Sequence, residues 1–537
     1  MQHALGWSWL AVLAVGCGAA APPATSPSPA PRRITLLSIA DTHAHLETHP
    51  EYVPGASPEI QPMGGFARLK TAIDRVRATA GAPVFVADGG DTFQGTAAAA
   101  WSRGEAVVAP FNGLGLDVCV PGNWEVVYGP ERFRELMHEL TCQVTVYNFH
   151  DAATGARLFA PSVTLDRGGV RVAFVGITDP YTTVRQSPDE VAGLDTSRIA
   201  GLRDFVRDLR ARSHPDLVVA VTHTGLTVSR RLAREIPELD VVLSGHTHER
   251  TLHEILEGHV IVVEPGSMGS FLGRLDLTLA PGGGVAAHHF ELMPIRPADV
   301  PEDPAERRLV DAALAPYRER AAEVLGYTDV PILRYDVLET NADDLIADAV
   351  REAAGADLGF TNGFRFGTPI PAGPITEDDL WNLLPLDARL KLGWVTGREL
   401  HAYLEHELEL VFSADPWKLS GGWGPRASGL DVTFAAGAPP GQRVRSLTVG
   451  GRPLADDARY TMAGCERAGE ELDIVCRLHG AHDVHVLPLT VHQVMRAYLH
   501  AHPHVAPRRD GRARAVDLPT TVLSQDAVLQ GFGSTSR

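Results

Sequence analysis

Ile34-Thr35-Leu36-Leu37-Ser38-Ile39 runs directly into Ala40-Asp41-Thr42-His43-Ala44-His45, so an apolar, β-rich run ends in a cluster of carboxylate and imidazole side chains. The same pattern recurs down the first half of the chain. Pro83 to Ala87 leads into Asp88-Gly89-Gly90-Asp91, Asp216 to Val221 into Thr222-His223-Thr224-Gly225, and Asp240 to Leu243 into Gly245-His246-Thr247-His248. Gly122-Asn123-Trp124-Glu125 is a fifth cluster, and Val170 to Ile177 and Val260 to Glu264 are further strand-like runs. Between the first two runs, Phe66, Leu69, Ile73 and Val76 recur at helical spacing after Gly64-Gly65. Strands alternating with amphipathic helices predict βαβ units and a buried, largely parallel sheet, hence an α/β fold.

The carboxyl ends of strands in such a sheet converge on one crevice, so clusters spread over some 200 positions can meet there. Their residues are carboxylates, imidazoles and one amide, with no thiolate, which suits two divalent ions of the Mn, Zn, Fe or Co kind roughly 3.5 to 4 Å apart. A water held between two such cations ionises near neutral pH, and the cations neutralise charge growing on an oxyanion. Hydrolysis of a tetrahedral oxyanion ester follows from that chemistry. The chain carries 48 Lys and Arg against 66 Asp and Glu, a formal charge of −18. This excludes nucleic acid held along a broad surface and leaves a small anionic substrate bound by local cations.

With 537 residues, 44% hydrophobic, the chain is long enough for two or three domains. The boundaries predicted are a signal peptide over 1–17, a Pro/Ser-rich tether over 18–33, a metal-binding domain over 34–295 and a linker helix over 296–325. A mixed α+β domain over 326–518 and a loosely held tail over 519–537 complete the chain. Ala14-Val15-Gly16-Cys17 resembles a bacterial lipobox, so the expectation is export, lipidation at Cys17, and a place in the periplasm or outer cell envelope with the membrane reached only through that anchor. Cys119, Cys142, Cys465 and Cys476 remain; of the three pairings open to them, Cys119 with Cys142 and Cys465 with Cys476 is the simplest.

At these motifs the chain resembles the calcineurin-like metallophosphoesterase superfamily, in particular its 5′-nucleotidase branch, from about Ile34 to about Leu499. The resemblance implies a four-layer αββα sandwich followed by an α+β substrate domain. It also implies that Asp41, His43 and His248 hold one metal, that Asn123, His223 and His246 hold the other, and that Asp91 bridges them. His45 and Asp88 share these loops but match no ligand. In the second domain, Glu339-Thr340-Asn341 through Asp348 and Asn362-Gly363-Phe364-Arg365 stand where the family has Asn- and Arg-containing loops. Asn362, Arg365, Trp423 and Arg426 are then the expected substrate-binding residues, with Arg365 clamping the oxyanion.

Nucleotidases of this branch read Gly-Asn-His-Glu-Phe-Asp where this chain has Gly122-Asn123-Trp124-Glu125-Val126-Val127. The His and Asp that assist the leaving group are replaced, and the resemblance implies Asp91, Trp124 and Arg365 as the catalytic residues. The nucleoside-stacking Gly-Gly-Asp-Gly-Tyr is missing from Tyr460 to Tyr498. Trp124-Glu125 with Tyr128-Gly129, the run Asp88 to Gly95, Gly363-Phe364-Arg365-Phe366-Gly367 and Asp415-Pro416-Trp417 resemble instead the thiosulfohydrolases of the bacterial Sox sulfur-oxidation pathway. Those relatives release sulfate from a thiosulfonate on a carrier protein's cysteine, and a sulfur leaving group tolerates a missing proton donor. Three functions stay open: phosphate release from a nucleotide-like phosphomonoester, sulfate release from a carrier-borne thiosulfonate, and an inactive metal-binding lipoprotein.

Overall fold

The computed structural model describes Met1 and residues 32–54, 59–361, 367–419 and 424–534. Cys17, Asn362, Arg365, Trp423 and almost all of the predicted tether lie outside them. Strand Arg33–Ile39 pairs in parallel with Val84–Asp88, which continues to Val118–Cys119 and Gln143–Val144. Phe271–Leu279 and Val285–Pro294 add antiparallel strands on the other side. A second six-stranded sheet is built around Val170–Ile177, Leu217–Thr222, Val241–Ser244 and Val260–Val263, all parallel, with antiparallel strands Ser162–Arg167 and Ile255–Glu257 at its edges.

Strand alternation fixes how these sheets stack. Leu36, Phe85, Val219, Val221 and Leu243 point into a core between the two sheets. Leu37 and Ile39 point the other way, onto helices Phe66–Thr79 and Glu105–Gly113. Val218, Ala220 and Val242 likewise face helices Leu202–Ser213 and Leu226–Glu235. The four-layer αββα sandwich is therefore present. Because the strands are buried on both faces, they read in sequence as continuous apolar runs.

Helices Pro304–Leu314 and Arg318–Ala321 occupy the linker. The second domain is α+β, with a five-stranded sheet in the order Ala427–Ser428, Leu358–Phe360, Arg459–Cys465, Arg389–Thr396, His482–Thr490. Its helices Asn341–Ala354, Glu377–Leu383, Gly397–Phe412 and Val491–Ala501 all start at a threonine whose side chain accepts an N–H of the first turn.

Two expectations are corrected here. Residues 519–537 are not merely a loose tail: helix Gln525–Ser534 forms within them, with Gln525 and Asp526 buried. Cys119 and Cys142 form the expected disulfide, but Cys465 and Cys476 are free, buried thiols. Cys465 ends a strand and shares a face with Ala463 in one core of the domain. Cys476 sits with Met462 in the core on the opposite face, its thiol donating to the Thr361 carbonyl at 3.3 Å.

Candidate metal centre

The first sheet delivers Asp41 and Asp91 just beyond adjacent parallel strands, in register Ile39 to Asp88. The second sheet delivers His223, His246 and His248 beyond the neighbouring strands that pair Thr222 with Ser244. Asp41, His43 and His248 form one buried donor cluster, and Asp91, His223 and His246 form a second. His43 Nε2 lies 3.1 Å from His248 Nε2, and His248 Nε2 lies 3.4 Å from Asp41 Oδ1. In the second cluster, His223 Nε2 is 3.1 Å from Asp91 Oδ2, 3.2 Å from Asn123 Oδ1 and 3.2 Å from His246 Nδ1. Asp91 Oδ2 is also 3.9 Å from His43 Nε2, which places this carboxylate between the clusters. All seven side chains predicted as ligands are thus brought together.

Backbone conformation explains why these loops converge so tightly. Asp41, His43, Asp91, His246 and His248 all have φ between 46° and 90°, a region costing roughly 1–3 kcal/mol for a residue other than glycine. Strain of this kind persists only where the surroundings enforce it. Gly122 shows the crowding: a Cβ there would collide with Asp91 Oδ1 and lie 2.7 Å from His223 Cε1.

Hydrogen bonds around the donors set which ring nitrogen faces inward. His223 Nδ1 donates to the Gly89 carbonyl at 2.7 Å, and His43 Nδ1 to Gln94 Oε1 at 3.0 Å, so each ring, once neutral, turns the Nε2 lone pair into the cluster. His246 N–H donates to Asp41 Oδ2 at 2.9 Å, and Trp124 N–H to Asp91 Oδ1 at 2.8 Å. Glu125 accepts from Thr92 N at 2.5 Å, Gly122 N at 2.6 Å and Asp91 N at 3.1 Å, stapling two loops together. Glu264 accepts from Ser244 Oγ at 2.6 Å, Glu249 N at 2.8 Å and Thr247 Oγ1 at 2.9 Å and fixes the His246–His248 turn. The organising roles of Gln94, Glu125 and Glu264 were not evident from sequence, although all three lie within the motifs or strand runs that were.

The electrostatics fit bound cations. Burial and Asp91 push Glu125 up to about 7, and burial and Asp41 push Glu264 up to about 8. Burial and Glu125 raise Asp88 well above the carboxylate range. Burial alone would depress His223, but Asp91, Asp41 and Glu125 outweigh it and lift the ring to about 10, so these carboxylates draw to this position a positive charge that either a proton or a metal ion supplies. Burial and His248 hold His43 down at about 4, a neutral donor. Buried carboxylates, inward lone pairs and no soft ligand make a donor set for divalent cations of the borderline class.

Of the remaining predicted residues, His45 Nδ1 makes a 3.3 Å contact with the Thr42 carbonyl, and Asp88 accepts from Gly90 N at 3.1 Å. Neither belongs to a donor cluster. Trp124 is buried and lines a cavity of about 550 Å³ that opens from Asp91, Asn123 and the His246–His248 turn toward Arg389, Glu407 and Arg467 of the second domain. Arg426 does not reach this cavity. Its guanidinium is buried 3.5 Å from Asp343, which also pairs with Arg334 at 2.7 Å, and it donates to the Asp336 carbonyl at 2.5 Å. In the segment from Glu339 to Asp348, Thr340 caps a helix, Asn341 accepts from Leu333 N, and Asp348 pairs with Arg512 at 2.8 Å, while Glu339 and Asp344 form with Asp510 a third close group of carboxylates, away from the cavity.

The geometry brings together two adjoining clusters of metal donors, and comparison with known proteins gives the family. Residues 34–250 match the calcineurin-like phosphoesterase model, and residues 322–466 match the 5′-nucleotidase C-terminal domain. The chain belongs to the 5′-nucleotidase branch of the calcineurin-like metallophosphoesterases and is a metal-dependent hydrolase. It is 24% identical to a 5′-nucleotidase of Vibrio cholerae over 81% of this chain and 85% of that protein. It is 26% identical to the trifunctional nucleotide phosphoesterase YfkN of Bacillus subtilis over 78% of this chain, which spans only 30% of that longer protein. Among solved structures, the sulfate thiohydrolase SoxB of Thermus thermophilus superposes with a TM-score of 0.81 at 27% identity, covering 91% of this chain and 98% of that one. A 5′-nucleotidase precursor, also of Thermus thermophilus, gives a TM-score of 0.79 at 25% identity, covering 91% and 100%.

Proposed function

We propose that the chain is an exported hydrolase that removes a terminal tetrahedral oxyanion at two divalent ions, taking phosphate from a nucleotide-like phosphomonoester. The observation that carries this is the closure of seven donors into two adjoining clusters at the end of the interdomain cavity. Asp41, His43 and His248 would hold one ion, Asn123, His223 and His246 the other, with Asp91 shared; the set accepts Mn, Zn, Fe or Co. When bound, such ions supply an easily ionised water and neutralise oxyanion charge. The chain's own residues orient that chemistry: Gln94 and the Gly89 carbonyl fix the imidazoles, Glu125 and Glu264 fix the loops, and Trp124 walls the cavity beside Asp91. The Cys119–Cys142 disulfide supports an oxidising compartment, and anchoring through Cys17 in the periplasm or outer envelope belongs to the same proposal. No helix among the described residues is long and apolar enough to cross a membrane.

Trp124 favours a second substrate class, a thiosulfonate on a carrier-protein cysteine. Neither an indole nor Val127 can protonate a departing alkoxide, and a thiolate leaves without that help. Among the described residues, the second-domain wall of the cavity also carries no Phe, Tyr or Trp ring on which a nucleobase could stack. The two classes separate in one assay of the mature, Mn-replete protein given adenosine monophosphate and a thiosulfonate-loaded peptide side by side. Adenosine release without sulfate release supports the phosphomonoester. Sulfate release alone replaces it with the thiosulfonate, and turnover of neither leaves a metal-binding lipoprotein without catalysis.

A further inference from the structure

The last described residues tie the two domains together. Strand Ala513–Ala515 pairs with Leu430–Phe434 in the second domain, and the backbone then reaches Val522, whose carbonyl accepts from Val337 N at 2.8 Å. Helix Gln525–Ser534 follows, with contacts divided between the domains. Val528 and Phe532 pack on the apolar core of the second domain. Asp526, with only 7% of its side chain exposed, pairs with Arg230 Nη1 at 2.7 Å and accepts from Thr227 Oγ1 at 3.0 Å. Both partners belong to the first-domain helix Leu226–Glu235.

Gln525 bridges the domains by itself. Its N–H donates to Glu249 Oε1 at 3.0 Å in the first domain, and its side-chain amide donates to the Val411 carbonyl at 2.6 Å in the second. Glu249 immediately follows His248, and Gln525 lines the interdomain cavity. The sequence Gln-Asp-Ala-Val-Leu-Gln-Gly-Phe-Gly-Ser holds two glycines in ten residues, which weakens a helix on its own. Its order therefore depends on these contacts.

We propose that residues 522–534 are a strap fastening the two domains across the catalytic cavity, with Asp526 as its clasp and Gln525 as a positioning residue that determines how closely the cavity fits its substrate. This rests on the reading that the cavity takes the substrate. The strap's polar contacts run to Arg230, Thr227, Glu249 and Val411, none of them a metal donor, so releasing it loosens substrate binding and leaves the chemical step in place. A loosened cavity also admits a bulkier leaving group relative to a small one.

The test compares the full-length, Mn-replete protein with Asp526→Ala, Asp526→Glu and a chain ending at Leu523. Hydrogen exchange is read across residues 226–235 and 246–250, and kcat and KM are measured on adenosine monophosphate and on a thiosulfonate-loaded peptide. Asp526→Ala and the shortened chain are expected to exchange faster in both segments and to raise KM on the order of tenfold with kcat within about twofold, the signature of binding lost equally in ground and transition states. Asp526→Glu is expected to recover part of both. Unchanged exchange and KM in Asp526→Ala and the shortened chain would overturn the strap, as would a fall in kcat accompanied by loss of metal. If the parent protein turns over neither probe, the functional reading fails, and faster or unchanged exchange still decides for or against the strap.

Discussion

The strand-end loops of the first domain and the cavity wall of the second differ in where their polar side chains point. In the loops, Asp41, His43, Asp91, Asn123, His223, His246 and His248 turn toward one another, five of them on a strained backbone. On the cavity wall, charged side chains turn toward opposite charges: Arg389 to Glu466 at 2.8 Å, Arg467 to Glu470 at 3.5 Å, and Arg477 to Glu407; behind it, Arg426 pairs with Asp343. Crowded like-type donors need an external cation, whereas paired charges are already neutral. The first region is built for an ion, and the second largely for its own stability and the shape of the cavity.

The contrast predicts how substitutions divide. Asp91→Ala removes the carboxylate between the clusters and should lower turnover on the order of a thousandfold or more, because the ions' stabilisation of charge is worth several kcal/mol; steady-state kinetics beside metal analysis checks this. Arg426→Ala should do the reverse. Leaving Asp343 with one fewer cation in a buried network costs about 3–5 kcal/mol of stability, read by denaturant unfolding, while kcat/KM of the folded fraction stays at the parent value. A loss of kcat/KM without a loss of stability would return Arg426 to the substrate site.

The cysteines extend the comparison. Cys119 and Cys142 close a loop with a sequence separation of 23, whose reduction should cost about 3 kcal/mol and lower Tm. Cys465→Ser should leave Tm insensitive to reductant beyond the shift the parent already shows. The smallest loss expected at the metal centre is that of Gln94→Ala, which frees the His43 tautomer and should weaken metal binding about tenfold to a hundredfold, as outer hydrogen-bond partners of metal ligands do. Competition with a chelator measures it.

The parts of this molecule legible in sequence are those where chemistry restricts the residue type. A buried strand must be apolar, and a divalent cation of this class must be met by carboxylate, imidazole or amide, so the strand runs and the five polar clusters stand out; the choice of seven donors among them comes from the family resemblance, since His45 and Asp88 are of the same residue types. Arginine carries no such restriction. Arg426 reads equally as a substrate clamp or an ion pair until Asp343 and Asp336 are seen beside it. The Cys465–Cys476 pairing failed because nearness in sequence says nothing about which face of strand Arg459–Cys465 each thiol packs on. Helix Gln525–Ser534 reads in sequence as a loose tail because its own propensity is poor, and the groups that hold it, Arg230, Thr227, Glu249, Val411 and the core under Val528 and Phe532, are distant in sequence. Gln94, Glu125 and Glu264 lay in plain view, but their hydrogen-bond partners did not.

Elemental analysis of the full-length protein after loading with Mn and removal of free metal tests the central claim most directly. Two equivalents per chain, falling below two in Asp91→Ala and unchanged in Arg426→Ala, is the result predicted. One equivalent or none in the parent protein, or two in Asp91→Ala with full turnover, would contradict it.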